Sequence, residues 1–132
     1  MRVLVAYYSL TGHTASLARA TADALTGHEV SLVEIVPAKP YSYFSAGIRG
    51  VTQAMAGTIV DLETPAPEAD AYDVLVVYSP TWGWMSSPPV RSFVAKLPPG
   101  ENRPAVVGVT HAGGPIGSFD RLAKLVRERG YS

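Results

Sequence analysis

The chain has 132 residues, enough for one domain with a real core and too few for two. Apolar residues make up 47% and charged residues 17%, a globular composition; eleven basic residues balance eleven acidic ones, so no long-range field favours nucleic acid or an anionic membrane. Zero cysteines exclude disulfides, thiolate metal sites and cysteine nucleophiles.

No apolar stretch approaches the roughly 20 residues of a membrane span. Met1-Arg2 runs directly into a strand-like segment, without the charged, apolar and cleavage regions of a signal peptide. A cytoplasmic protein with no nucleic-acid and no membrane partner is the expectation.

Residues 2–8 read as a short strand apolar on both faces, as in a parallel sheet between helices. From Thr14 the pattern turns helical, with Ala18, Ala22 and Leu25 on one stripe and Gly27 placed to stop the helix. Residues 29–36 predict a second strand, and Ser31 and Glu34 mark it as an edge. Phe44, Ile48, Val51 and Met55 keep helical spacing and predict a helix over about 44–56, despite Gly47 and Gly50. The Pro- and acid-rich 61–70 is a surface connection. A third strand follows at Val74–Tyr78.

Ser87-Pro88-Pro89 reads as an N-cap with proline in the first turn, ahead of a Val90, Phe93, Val94, Leu97 stripe. Ala105–Thr110 is the fourth strand. Ser118 is expected to cap a last helix bearing Phe119, Leu122, Ala123 and Val126, which Gly130 ends. Strands alternating with helices imply βαβ units and a three-layer, doubly wound parallel α/β sheet. Ligands of such sheets sit beyond the carboxyl ends of the strands. The loops to read for function are therefore 8–14, 79–87 and 110–117.

The first loop sets the hydroxyls of Ser9, Thr11 and Thr14, with Gly12, at a helix start. Such a nest binds a phosphate through backbone N–H groups and the helix dipole, or it is simply a well-capped helix. It lacks the Gly-Lys-Ser/Thr of a triphosphate loop and the G-x-G-x-x-G of a dinucleotide loop, so a phosphate monoester fits best. In the second loop Trp82 and Trp84 flank Gly83, which offers a planar ring a stacking face, or else plugs the end of the sheet as core. The third loop, THAGGPIGS, has small residues that let a flat ligand approach, or serve an ordinary turn.

Ser9-Leu10-Thr11-Gly12-His13-Thr14 after an apolar strand resembles the FMN-phosphate loop of flavodoxins. Tyr72-Asp73, an apolar strand and Ser79-Pro80-Thr81-Trp82-Gly83 resemble that family's second flavin loop, and Ser87-Pro88-Pro89-Val90 with Phe93 the helix after it. The resemblance implies FMN as cofactor. It places Ser9, Thr11, Gly12, His13 and Thr14 on the phosphate, with Leu10 contributing backbone only. Pro80, Thr81, Trp82, Gly83 and Trp84 would border the isoalloxazine, with the Gly83 peptide able to turn toward flavin N5. Thr110, His111, Ala112, Gly113 and Gly114 would close the other side.

The chain departs from the pattern in three places. His13 stands where Asn is often found, and Trp84-Met85 is bulkier than usual there. The net charge is zero, where electron-shuttling flavodoxins are strongly acidic. Neutrality leaves room for a reductase of quinones or other small acceptors, NAD(P)H-linked, alongside an electron carrier with a redox partner protein. His111 is the single weak catalytic candidate, orienting substrate, against a reading as a solvent-facing loop residue. No metal site is expected.

The resemblance further implies sheet order 2-1-3-4-5, yet the chain shows four strands and ends where a fifth strand and helix would begin. Strands 3 and 4, apolar on both faces, would then expose a patch that a C-terminal segment or a second copy covers. The reading from another class is a flavodoxin-like domain without flavin, serving as an interaction or regulatory module. A response-regulator receiver needs aspartates where Tyr7, Tyr8, Ser79 and Pro80 stand, and a low-molecular-weight phosphatase needs a cysteine; both are discarded.

Overall fold

The computed structural model describes residues 1–68, 71–82, 85–110 and 117–132, with the backbone alone at Tyr43. The chain runs β1 (Arg2–Tyr7), α1 (His13–Ala24), β2 (Glu29–Glu34), α2 (Tyr43–Ser45), a π-helical stretch (Ala46–Gly50), α3 (Val51–Ala56), β3 (Val74–Trp82), β4 (Met85–Ser86), α4 (Pro88–Ala95), β5 (Ala105–Thr110) and α5 (Ser118–Glu128). Four strands pair in parallel in the order β2-β1-β3-β5, with β2 on the edge as expected. β4 is an addition: it folds back antiparallel on β3, Thr81 opposite Ser86 and Trp82 opposite Met85.

Alternation along each strand sorts the core into two layers. Val3, Val5 and Tyr7 of β1, with Val76 and Tyr78 of β3, meet Ala15 and Ala18 of α1. Leu4, Ala6 and Tyr8 with Leu75 and Val77 face the other way, onto Val90, Phe93 and Val94 of α4 and Leu122 and Val126 of α5. The α4 stripe is buried throughout, Leu97 included.

Three expectations are corrected. The 44–56 helix forms, but its predicted apolar stripe faces outward: Phe44 is 76% exposed, and Ile48 and Met55 are more than half exposed. The buried side is Ala46, Gly50 and Ala54. Small residues let this segment lie close on the sheet, and a Cβ on Gly50 would come within 2.6 Å of the Trp82 ring. Ser118 is the first residue of α5 rather than its cap, Gly117 holding that position at φ +74°. Finally, β3 runs to Trp82, because Ser79 and Pro80 continue the ladder with Val109 and Thr110 of β5.

Of the patch expected on strands 3 and 4, the β3 part is buried, while every residue of β5 keeps some exposure. α1 buries Val76, and the Tyr78 ring lies over Gly108 of β5, where an added Cβ would meet it at 2.6 Å. The Tyr78 hydroxyl is tied to Thr21 of α1 at 2.7 Å. Val106 stays 52% exposed on that face.

Candidate functional site

The carboxyl ends of β1, β3 and β5 come together at one rim. After β1 the chain turns through Tyr8–Gly12 and enters α1. Gly12 is the N-cap residue at φ +98°, a conformation that costs glycine little, and the space where a Cβ would stand is open. Among the described residues no side chain caps the first turn of α1, and that turn carries no acidic residue. Its outward N–H groups and the positive end of its dipole are left for an anion.

Hydroxyls surround this helix start. Ser9 Oγ accepts from the Gly12 N–H at 3.0 Å, which folds the loop and leaves the serine proton to donate. The Thr14 and Thr110 hydroxyls lie 2.8 Å apart, joining the start of α1 to the end of β5. One of the two donates to the other, so the pair retains a proton to give outward. Thr14 is buried, while Thr11 and His13 are exposed. Leu10 is half-buried against the core below.

Pro80 stands opposite Thr110 in the β3–β5 ladder. Thr81 bonds across to Ser118 of α5 at 2.9 Å between hydroxyl oxygens, linking the second loop to the last helix. Ser87 occupies the N-cap position of α4 as expected, yet caps nothing with its side chain. Instead its N–H donates to Ser79 Oγ at 2.9 Å, which anchors the hairpin beneath the rim.

Trp82 is placed as core. It is 8% exposed, and its ring meets Tyr8 and Tyr41 edge-on, at centroid distances of 5.7 and 5.1 Å. Gly50 backs the same ring. The described residues thus bring together Ser9, Gly12, Thr14, Pro80 and Thr110, and set Trp82 into the layer below. Gly83, Trp84, His111, Ala112, Gly113 and Gly114 lie outside the described residues.

The pattern reading missed the aromatic group beside the first loop. Tyr8, Leu10, Ile35, Pro37 and Tyr41 line a cleft of about 200 Å³. Burial, with Tyr41 next to it, pushes the Tyr8 phenol up to about 12, and burial raises Tyr41 as well against the opposing Arg49. Both stay neutral hydroxyls at physiological pH. Arg49 sits 4.5 Å from the Tyr41 ring centre and donates to the Pro40 carbonyl at 3.1 Å. Tyr41 was hidden because it lies in the irregular stretch after β2, where no periodicity marks a buried position.

No family model and no curated protein matches the chain. Solved structures do. A candidate flavoprotein from Bacteroides uniformis superposes with a TM-score of 0.83 at 21% identity, over 99% of this chain and 86% of that one. A flavoprotein from Lactobacillus acidophilus, solved in complex with FMN, gives 0.77 at 15% identity, over 99% and 88%. A flavodoxin from the Archaea gives 0.66 at 16% identity, over 100% and 77%. At these identities the likeness establishes the fold, and the chain has the flavodoxin-like fold.

Proposed function

We propose that the chain is an FMN-binding flavoprotein that transfers electrons or reduces a small acceptor such as a quinone. The observation that carries this reading is the uncapped, acid-free start of α1 ringed by Ser9, Gly12 and the Thr14–Thr110 hydroxyl pair. A monoester phosphate fits there without a cation, because oriented N–H and O–H donors meet its charge. The FMN complex of the Lactobacillus acidophilus flavoprotein, on the same fold, supports the choice of cofactor.

In this reading Ser9, Thr11, Gly12, His13 and Thr14 hold the phosphate, with Leu10 lending only its backbone. The second loop, with Pro80, Thr81, Gly83 and Trp84, and the residues Thr110, His111, Ala112, Gly113 and Gly114 border the ring. Trp82 lies in the layer below, against Tyr8 and Tyr41. Bound FMN supplies the redox chemistry, and the chain positions it and sets the polarity around it. His111 remains the candidate for orienting a substrate.

Titration with FMN tests the reading. Flavin fluorescence is expected to be quenched, with affinity in the micromolar range or better. Stopped-flow mixing of the loaded protein with NADH, NADPH and a quinone then separates a reductase from a carrier that needs a redox partner protein. If excess FMN changes neither fluorescence nor the visible spectrum, the flavin-free interaction module takes its place. The exposed ridge of Phe44, Ile48 and Met55 is the feature that favours that second reading.

A further inference from the structure

The cleft of about 200 Å³ beside the first loop holds two polar groups that the phosphate reading of that loop does not use. One is the Tyr8 hydroxyl. The Tyr8 ring packs edge-on against Tyr41 and Trp82, and the residue is 6% exposed. Among the described residues, the polar side-chain atoms sealed away without a partner belong to Ser86, Arg91, Arg103 and Arg129. The Tyr8 oxygen is not one of these, and no described residue bonds it, so it opens onto the cleft that Tyr8 lines.

The other group is Glu34, the last residue of β2, which borders the same cleft. It is exposed and forms no ion pair among the described residues. Its carboxylate is near enough to help raise the Tyr8 pKa, after burial and Tyr41, yet the two groups do not bond each other. A phenol that stays protonated at neutral pH thus stands near a free carboxylate at the mouth of one cleft.

That pair selects a ligand by elimination. An anion is repelled by Glu34, and a cation satisfies Glu34 but leaves the Tyr8 proton without an acceptor. Two adjacent neutral hydroxyls serve both groups: they donate to the two carboxylate oxygens, and an oxygen beside them accepts from the phenol. The remaining walls include Leu10, Ile35, Pro37 and Pro40, apolar surfaces suited to the C–H faces of a sugar ring. We propose that this cleft binds a sugar through a vicinal diol, with the diol on Glu34 and a neighbouring oxygen on Tyr8. Its volume is below the roughly 300 Å³ at which pockets for drug-sized ligands begin, so it encloses a single ring. The site does not rest on the flavin reading. Ser9 and Leu10 belong to the cleft and to the first loop alike, but Tyr8 and Glu34 have no part in holding the phosphate.

Methyl-detected NMR of the full chain reads the site whether or not FMN binds. Methyl β-D-ribofuranoside is expected to shift the Leu10 and Ile35 methyls saturably, while the exposed Ile48 methyl stays in place. The 2-deoxy sugar, which has no vicinal pair, should bind at least about fivefold more weakly. Glu34→Gln should weaken the riboside about tenfold, and Tyr8→Phe about fivefold. Both changes keep the shape of the side chain, and Glu34 is on an exposed edge strand, so each variant is expected to fold. Adenosine binding tighter than the riboside assigns the ring to a nucleoside; equal or weaker binding assigns it to a free sugar. Protein saturated with FMN should give the same titration. Loss of the shift under FMN gives the cleft to the flavin itself and overturns the assignment. So do unmoved Leu10 and Ile35 methyls, a 2-deoxy sugar matching the riboside, or wild-type affinity in both variants.

Discussion

The Thr14–Thr110 contact is the smallest unit on which the proposed function turns. Two hydroxyls 2.8 Å apart tie the start of α1 to the end of β5, and the pair has one proton left to donate. Valine keeps the shape of threonine and removes the hydroxyl. Thr14→Val and Thr110→Val should therefore each weaken FMN by roughly tenfold, the loss of one charge-assisted hydrogen bond. The double variant should lose less than the product of the two, because each single change already breaks the shared bond. Fluorescence titration of the four proteins checks this. A second residue-scale expectation concerns Asp73, whose carboxyl accepts from the Arg2 N–H at 2.9 Å and pairs with its guanidinium at 3.2 Å. The backbone N–H first, then the side chain, hold its pKa below the ordinary carboxylate range. A depressed native value means that the stabilisation is complete above the unfolded carboxylate pKa. It is lost as pH falls through the native one. Asp73→Asn should thus lower Tm at neutral pH and have little effect at pH values below that range, as thermal melts across the acid range will read.

At the scale of elements, the four parallel strands were legible as short apolar runs between turn residues, and the helices α1, α4 and α5 by apolar residues three and four apart. Val90, Phe93, Val94 and Leu97 are a stripe in the chain and a buried face in the fold. The 44–56 segment was legible as a helix but not as a surface. Its apolar residues mark the wrong side, since Trp82 admits only small residues beneath it and a π-helical stretch over Ala46–Gly50 resets the register. Ser87 and Ser118 misled for a related reason: hydroxyls suited to caps instead bond Ser79 and Thr81 of the second loop. Of the candidate site, the loop that sets Ser9, Gly12 and Thr14 at the start of α1 was readable from residue type and spacing. The enclosure of Trp82 by Tyr8 and Tyr41 was not, since edge-on ring packing leaves no period. Two glycines one helical turn apart expose the physics. Gly47 has open space where a Cβ would stand, so Gly47→Ala should stabilise by up to about 1 kcal/mol through helix propensity. At Gly50 the same gain is outweighed, because the Cβ would press 2.6 Å from a Trp82 ring that Tyr8 and Tyr41 keep from yielding. Gly50→Ala should destabilise by about 1–3 kcal/mol. Chemical denaturation of the pair gives opposite signs if Trp82 is seated as core, and the same sign if it is not.

For the whole molecule the question is how the sheet ends. β2 closes one side and β5 the other, and the two edges are not alike. Among the described residues Ser132 alone bonds the outer edge of β5: its N–H donates to the Arg103 carbonyl, and Ala105 N–H donates to its carbonyl, both at 3.0 Å. That is the hydrogen-bond pattern of a parallel pair. Alternation along β5 then points the N–H groups of Val106, Gly108 and Thr110 inward to β3 and those of Val107 and Val109 outward. The groove beside that edge, between β5 and α5, is lined by Val106, Phe119, Ala123 and Val126. Unpaired backbone next to apolar side chains is the surface on which another strand adds. Native-state hydrogen exchange reads this amide by amide. If the edge is open in solution, Val107 and Val109 exchange rapidly while Val76 and Val77 of the central β3 persist to the global unfolding limit. If instead Val107 and Val109 are protected as strongly as β3, the edge is covered. Protection that falls on dilution assigns the cover to a second copy of the chain, because protection from within one chain does not depend on concentration.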